Sequence, residues 1–353
     1  MTNEIINDKG SSKASASGGF GGSVFCFGEI LLRMSPVLKR QWIKQASIPV
    51  YVGGAELNAA NALAKWNVPV KYGTAIPDHY LSHEILEELQ SKNIDTSAVH
   101  LSGNRIGVYY LPQGADLKNA GVIYDRAYSS FAELKPGMID WNKALEGCSW
   151  FHFSAISPAL NENAAAVCKE ALAAASAKGL TISVDLNYRA KLWQYGKKPA
   201  FIMPDLVQHC HVIMGNMWAV ESLLGISSPI ESSTGKTNEE LVEATGKSML
   251  QLHKQYPNTT SFAYTFRLEK EYWAVLQHGK DMAVSKKFLI GDIVDKVGSG
   301  DCFMAGLIYG LYHNNAPQEI INYAAAAAFG KLHELGDATG QSEQDVKKIL
   351  MSI

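Results

Sequence analysis

Asp295-Lys296-Val297-Gly298-Ser299-Gly300-Asp301 sets two glycines around a serine, and an apolar run from Cys302 to Tyr312 follows at once. That order predicts a tight turn feeding a helix N-terminus, where free backbone N–H groups and the positive end of the helix dipole converge. An anion suits such a point. A carboxylate beside it costs electrostatic energy, so Asp301 is either a first-turn residue favoured by the dipole or a working group. As a base it would take a proton while the amides of Gly298, Ser299 and Gly300 hold a transferring phosphoryl group.

Three more constellations follow segments that read as strands or sit on them. Asp185-Leu186-Asn187-Tyr188-Arg189 sets a carboxylate, an amide and a guanidinium on alternating positions, which face one way if the segment is extended. The alternative is a solvated polar loop. In Gly53-Gly54-Ala55-Glu56-Leu57-Asn58 the glycines admit a ligand to the backbone, and Asn58 falls in the first turn of the next helix, unless this is a plain helix entry. Tyr109, Tyr124 and Arg126 form the last group. Tyr124 and Arg126 are two apart and would share a strand face, offering a hydroxyl and a bidentate donor to a carboxylate, or else a cross-strand pair on an exposed ribbon.

Other combinations carry less. His209-Cys210-His211 has metal-like spacing but leads into an apolar strand with no third ligand in view. Cys302 has no histidine neighbour and reads as a small core residue. No Ser-His-Asp arrangement, Walker loop or Gly-x-Gly-x-x-Gly fingerprint is present.

The elements that must position these residues alternate. Helical periodicity marks 55–66, 81–91, 161–177, 217–224, 239–253, 318–335 and 343–350, and strand-like runs mark 24–28, 68–73, 150–153, 180–185, 211–214, 260–265 and 272–276. Such alternation predicts an α/β fold, a parallel sheet covered on both faces with its ligands outside the carboxyl ends of the strands. Two islands break the rhythm: strand-like pieces at 30–36 and 48–53, and at 105–111 and 122–126 around a turn at Gln113-Gly114-Ala115-Asp116. With no helix between their pieces they are expected to pair antiparallel into a small β lid, inserted from about 30–53 and 105–127. Residues 1–22, rich in Ser, Gly, Ala and Asn, read as a disordered tail before a single domain over 23–353.

At 353 residues and 47% hydrophobic composition, one large domain with an appendage is affordable to the core. Thirty-two basic against 34 acidic residues give a net charge of −2, no electrostatic case for nucleic acid or an anionic membrane, so a small molecule is the expected partner. Five scattered cysteines without a Cys-x-x-Cys, no apolar run near ~20 residues and no signal-peptide order point to the cytoplasm. An exposed β appendage also suggests a homodimer through the lid.

Taken in order, these segments resemble the ribokinase-like (PfkB) carbohydrate kinases from about Val24 onward, most closely the 2-keto-3-deoxygluconate kinase branch. Gly28-Glu29-Ile30-Leu31-Leu32-Arg33-Met34-Ser35-Pro36, Gly53-Gly54-Ala55-Glu56, Arg105 to Tyr110, Val122 to Ala127, Asp185 to Arg189 and Asp295 to Asp301 carry the likeness. It implies a three-layer α/β/α fold with a β lid and phosphoryl transfer from ATP, with Mg²⁺, to the 6-hydroxyl of a keto-deoxy sugar acid. It further implies that Asp301 is the base, that Gly298, Ser299 and Gly300 form the anion hole, and that Gly54, Asn58, Tyr109, Tyr124, Arg126 and Arg189 bind the acid. Nucleotide contacts fall to Asn187, Asn216, Thr265 and Arg267. Three positions depart from the pattern: Lys296 replaces a small residue, Ala219 stands where the family carries a magnesium-linked Glu, and Arg267-Leu268-Glu269-Lys270 replaces Gly-x-x-Gly. The alternatives are a kinase of a neutral sugar such as fructose or tagatose, and a catalytically weak sugar-acid sensor.

Overall fold

The computed structural model describes residues 21–36, 47–112 and 121–352. The Gln113–Asp116 turn and nearly all of the expected N-terminal tail lie outside the described residues.

In chain order the described residues form β1 (Ser23–Phe27), β2 (Leu31–Met34), β3 (Val50–Gly53), α1 (Ala55–Lys65), β4 (Val70–Ile76), α2 (Tyr80–Ser91), β5 (Ile94–Leu101), β6 (Gly107–Tyr110) and β7 (Ile123–Asp125). They continue with α3 (Trp141–Ala144), β8 (Cys148–Ser154), α4 (Glu162–Ala177), β9 (Thr181–Asp185), α5 (Met203–Val207), β10 (Val212–Gly215), α6 (Met217–Leu224), α7 (Asn238–Gln255) and β11 (Ser261–Arg267). The chain closes with β12 (Glu271–His278), β13 (Asp281–Val284), β14 (Phe288–Leu289), α8 (Ser299–Tyr312), α9 (Pro317–Lys331) and α10 (Glu343–Met351).

The large sheet runs β13-β12-β11-β10-β9-β8-β1-β4-β5, with β14 beside β12. From β11 to β5 every pairing is parallel, whereas β12, β13 and β14 are joined antiparallel. The strand expected at 272–276 therefore turns back on its neighbour instead of extending the parallel set. Both faces are covered. Helices α1, α8 and α9 share one buried cluster with Val24, Tyr72 and Trp150. Helix α4 and the segments through α7 share the other with Phe25, Phe153 and Val184. Alternate residues of β1 thus feed opposite layers, as the pleat demands.

Strand β1 has β4 on one side and β8 on the other. Its carboxyl end is the point where the strand order reverses, the usual ligand crevice of such sheets.

The two islands build a separate sheet of order β3-β2-β6-β7. Pairing within each island is antiparallel, as expected, but the islands join through a parallel contact between β2 and β6. Its inner face buries Leu31, Tyr109, Leu111 and Val122 against Val297, one residue before the glycine turn. The small sheet is therefore packed directly on the segment expected to do chemistry.

Candidate active site

Helix α8 begins at Ser299, so Asp301 lies in its first turn and Gly298 is its N-cap. Gly298 has φ 79°, and a Cβ there would stand 2.0 Å from the Asp337 carbonyl oxygen, so both the turn and the close approach require glycine. First-turn N–H groups have no partner within their own helix. A Gly298→Ala variant is expected to lose about 1–3 kcal/mol to backbone strain alone and about 10²-fold in kcat through displaced amides. A wild-type denaturation midpoint together with wild-type kcat would contradict this role.

Asp301 is buried, and Asn58 Nδ2 in the first turn of α1 donates to its Oδ2 at 2.7 Å. Two residues 243 positions apart, each singled out in the sequence, thus meet across the α1 and α8 N-termini. Burial pushes the Asp301 carboxyl up to about 7, against the Asn58 hydrogen bond and the Arg189 charge, with Glu56 and Asp337 adding to the rise. Such a group is poised to exchange a proton near neutrality.

Around it the carboxyl edge of the sheet is rich in acids. Asp185, the last residue of β9, is held well above the usual carboxylate range by burial and then by the Asp301 charge. Glu56 fills the crevice at the order reversal. Its Oε1 accepts from the Ser154 amide at 2.9 Å, the Ser154 hydroxyl at 2.7 Å and Ser157 at 3.2 Å. Gly28 admits it, since a Cβ at that position would lie 2.0 Å from Glu56 Oε2. Gly54 is equally constrained, with φ 140° and the Glu29 carbonyl 2.2 Å from a Cβ.

The aromatic and cationic residues of the lid differ from the expectation in detail. Tyr109 and Tyr124 are register partners on β6 and β7, with ring centroids 6.3 Å apart. Tyr109 is buried and its hydroxyl donates to Asp337 Oδ2 at 2.7 Å. Arg126 lies past the end of β7, so it does not share a strand face with Tyr124. It is buried, and its Nε and Nη2 meet Glu29 Oε2 at 2.6 and 2.5 Å while Ser129 donates to Oε1. A charge in that setting needs its partner, which is why the guanidinium turns inward. Arg126 still lines a cleft of about 700 Å³ with Tyr124, Tyr128, Asn161 and Lys191. Arg189 is half-buried, donates to the Tyr188 carbonyl and acts electrostatically on both Asp185 and Asp301.

The residues expected to meet the nucleotide fall on one edge. β9, β10 and β11 are parallel neighbours, and Asn187, Asn216, Thr265 and Arg267 stand at or just beyond their carboxyl ends. Asn216 is also the N-cap of α6, its Oδ1 accepting from the Ala219 amide at 2.9 Å. Ala219 supplies no side-chain oxygen, and among the described residues no group of three or more His, Cys, Asp or Glu could hold a metal ion. The His, Cys, Asp and Glu side chains of the described residues therefore form no magnesium cage.

Sequence reasoning gave no role to Arg33, Asp337 or Lys331. Arg33 on β2 meets Asp295 Oδ2 at 2.7 Å and Asp337 Oδ1 at 2.8 Å beneath the lid. The pairing spans 262 residues for Asp295, and no local pattern signals it.

Residues 22–344 match the pfkB family carbohydrate kinase description. The chain belongs to that family. It is an ATP-dependent sugar kinase, a phosphotransferase with an alcohol group as acceptor. The solved 2-dehydro-3-deoxygluconokinase of Thermotoga maritima is 32% identical, with a TM-score of 0.84 over 94% of this chain and 99% of that one. The 2-dehydro-3-deoxygalactonokinase of Haloferax volcanii is 26% identical over 92% of this chain and 95% of its own length. The 5-dehydro-2-deoxygluconokinase of Geobacillus kaustophilus is 24% identical over 79% and 78%. Among the described residues no helix is long and apolar enough to cross a membrane.

Proposed function

We propose that this kinase phosphorylates 2-keto-3-deoxygluconate at its 6-hydroxyl to give 2-keto-3-deoxy-6-phosphogluconate, using ATP with Mg²⁺. The observation that carries the reading is the buried Asp301, held by Asn58 beside the α8 N-terminus, with the Arg189 guanidinium within electrostatic reach. Asn58 occupies Oδ2 of Asp301, which leaves Oδ1 for the sugar hydroxyl. The proton passes to that oxygen as the hydroxyl attacks the γ-phosphorus and the bond to the leaving ADP oxygen breaks. Amides of Gly298, Ser299 and Gly300, with the dipole behind them, stabilise the charge on the transferring group. Most of the work is alignment and charge stabilisation.

The acidic substrate rests on Arg189, whose charge acts on Asp301, on Arg126 at the cleft and on the sugar-acid kinases among the relatives. Tyr124 lines the same cleft, with the Tyr109 ring packed behind it. Because Glu29 neutralises Arg126, Arg189 is the cation assigned to the carboxylate, in bidentate or water-bridged form. A galactonate epimer is the second reading, favoured by the Haloferax relative. Turnover of ATP with both epimers, 5-dehydro-2-deoxygluconate, fructose and ribose separates these. The gluconate epimer is expected to lead in kcat/KM, and Arg189→Ala to cost it about 1.5–3 kcal/mol of binding while sparing the neutral sugars. A neutral sugar turning over fastest would sink the acid assignment.

A further inference from the structure

Lys331, the last residue of α9, is fully buried, with none of its surface exposed. A lysine in such a place is expensive unless its charge is answered. Its Nζ donates to the Gly336 carbonyl at 2.8 Å and to the Glu334 carbonyl at 3.1 Å. Burial lowers its pKa, while Asp295, Glu334 and Asp337 favour the charged form. With Arg33 it gives this buried cluster two cations against the carboxylates of Asp295 and Asp337.

The turn that Lys331 grips touches the anion hole. Gly336 donates to Asp295 Oδ2 at 3.3 Å, and Asp295 Oδ1 in turn accepts from the Val297 amide at 3.1 Å. The next residue, Asp337, presses its carbonyl on Gly298, where a Cβ would also find Lys331 Cε at 3.4 Å. One ammonium thus draws two carbonyls of the 334–337 turn together directly behind the N-cap of α8. Without it those oxygens would be left facing each other unsatisfied, and the wall behind Gly298 would lose its anchor.

We propose that Lys331 is a positioning residue whose ammonium clamps the Glu334–Asp337 turn and thereby holds the Gly298–Asp301 amides in their phosphoryl-binding arrangement. It touches no substrate and works through the turn. The kinetic side of this claim rests on the phosphoryl-transfer reading, but the structural side does not. Hydrogen exchange of the full-length protein separates them, using Lys331→Met, which fills the space without charge, and Lys331→Ala, which leaves room for a small ammonium ion.

Amides of 295–301 are expected to exchange at least about tenfold faster in both variants, an opening of about 1.4 kcal/mol, while β8 and α4 keep wild-type protection. Ethylammonium chloride should restore the protection of the Ala variant and not of the Met variant, with sodium chloride inert in both. In the same samples kcat falls at least tenfold with little change in the KM for sugar. Unchanged exchange at 295–301 overturns the clamp, as does acceleration spread equally over β8 and α4, which would make Lys331 a general stability residue. Wild-type protein that turns over none of the sugars would instead refute the kinase substrate reading and leave the exchange result standing.

Discussion

Replacing Asp301 with asparagine lowers kcat by about 10²–10⁴-fold, the usual worth of a positioned general base, with a small change in sugar KM. The variant keeps an oxygen for Asn58 Nδ2 to donate to, so the contact between α1 and α8 survives. What disappears is the capacity to accept the hydroxyl proton. Because burial lifts Asp301 to about 7, wild-type kcat/KM should rise with pH through that value as the carboxylate forms, and the asparagine variant should lack this limb. Stability moves the other way. A carboxyl whose folded pKa exceeds its unfolded one holds its proton more tightly in the native state, so its contribution to stability falls as pH rises from about 4 to about 7. The asparagine variant escapes that loss, and its stability relative to wild type should grow over the same window. Rate profiles and urea midpoints at pH 5 and 8 measure both. Near-normal turnover at pH 8 would remove Asp301 as the base.

How far the sequence shows this site depends on the range of the interactions. Gly298, Ser299, Gly300 and Asp301 are visible because glycines, the helix start and the carboxylate lie within four residues. Asn58 is visible as a first-turn amide, but its meeting with Asp301 is not, being set by how α1 packs on α8. The Arg126–Glu29 pair, 97 residues apart, is not signalled by any local pattern. Its position two residues after Tyr124 suggests a shared strand face, yet β7 stops at Asp125 and the buried guanidinium pairs with Glu29. In the fold, the apolar run 24–27 and the alternating stretch 180–185 are legible, whereas β5, half-exposed with a mixed IDTSAVHL pattern, and the two-residue β14 are not. Edge strands owe their pairing to a neighbour's open hydrogen bonds more than to their own periodicity. The parallel joint between β2 and β6 is likewise a long-range fact.

Arg33→Met is the variant expected to cost most in stability, about 3–5 kcal/mol, because removing one side of a buried ion pair strands the other. Here two carboxylates are stranded at once. Asp295 loses its 2.7 Å partner and Asp337 its 2.8 Å partner, leaving the Val297 and Gly336 amides, the Tyr109 hydroxyl and the Lys331 charge to answer them. The Tyr51 ring, 4.5 Å from the guanidinium carbon, loses its cation as well. Burial already raises the Asp337 carboxyl and the Arg33 charge holds it down, so without Arg33 the native state binds its proton more tightly. The stability deficit of Arg33→Met should therefore shrink toward pH 4 and widen toward pH 8. Adding Asp295→Asn should recover part of it, a coupling measurable by a double-mutant cycle. A deficit below ~1 kcal/mol, the range of exposed pairs, would show that the cluster does not join the sheets. Arg33 stands on a lid strand, Asp295 opens the turn before the α8 N-terminus, and Asp337 backs Gly298 while receiving Tyr109 from a second lid strand. Any displacement of the lid must therefore either carry the 295–298 turn with it or break this cluster. That couples the position of the small sheet to the competence of the α8 N-terminus.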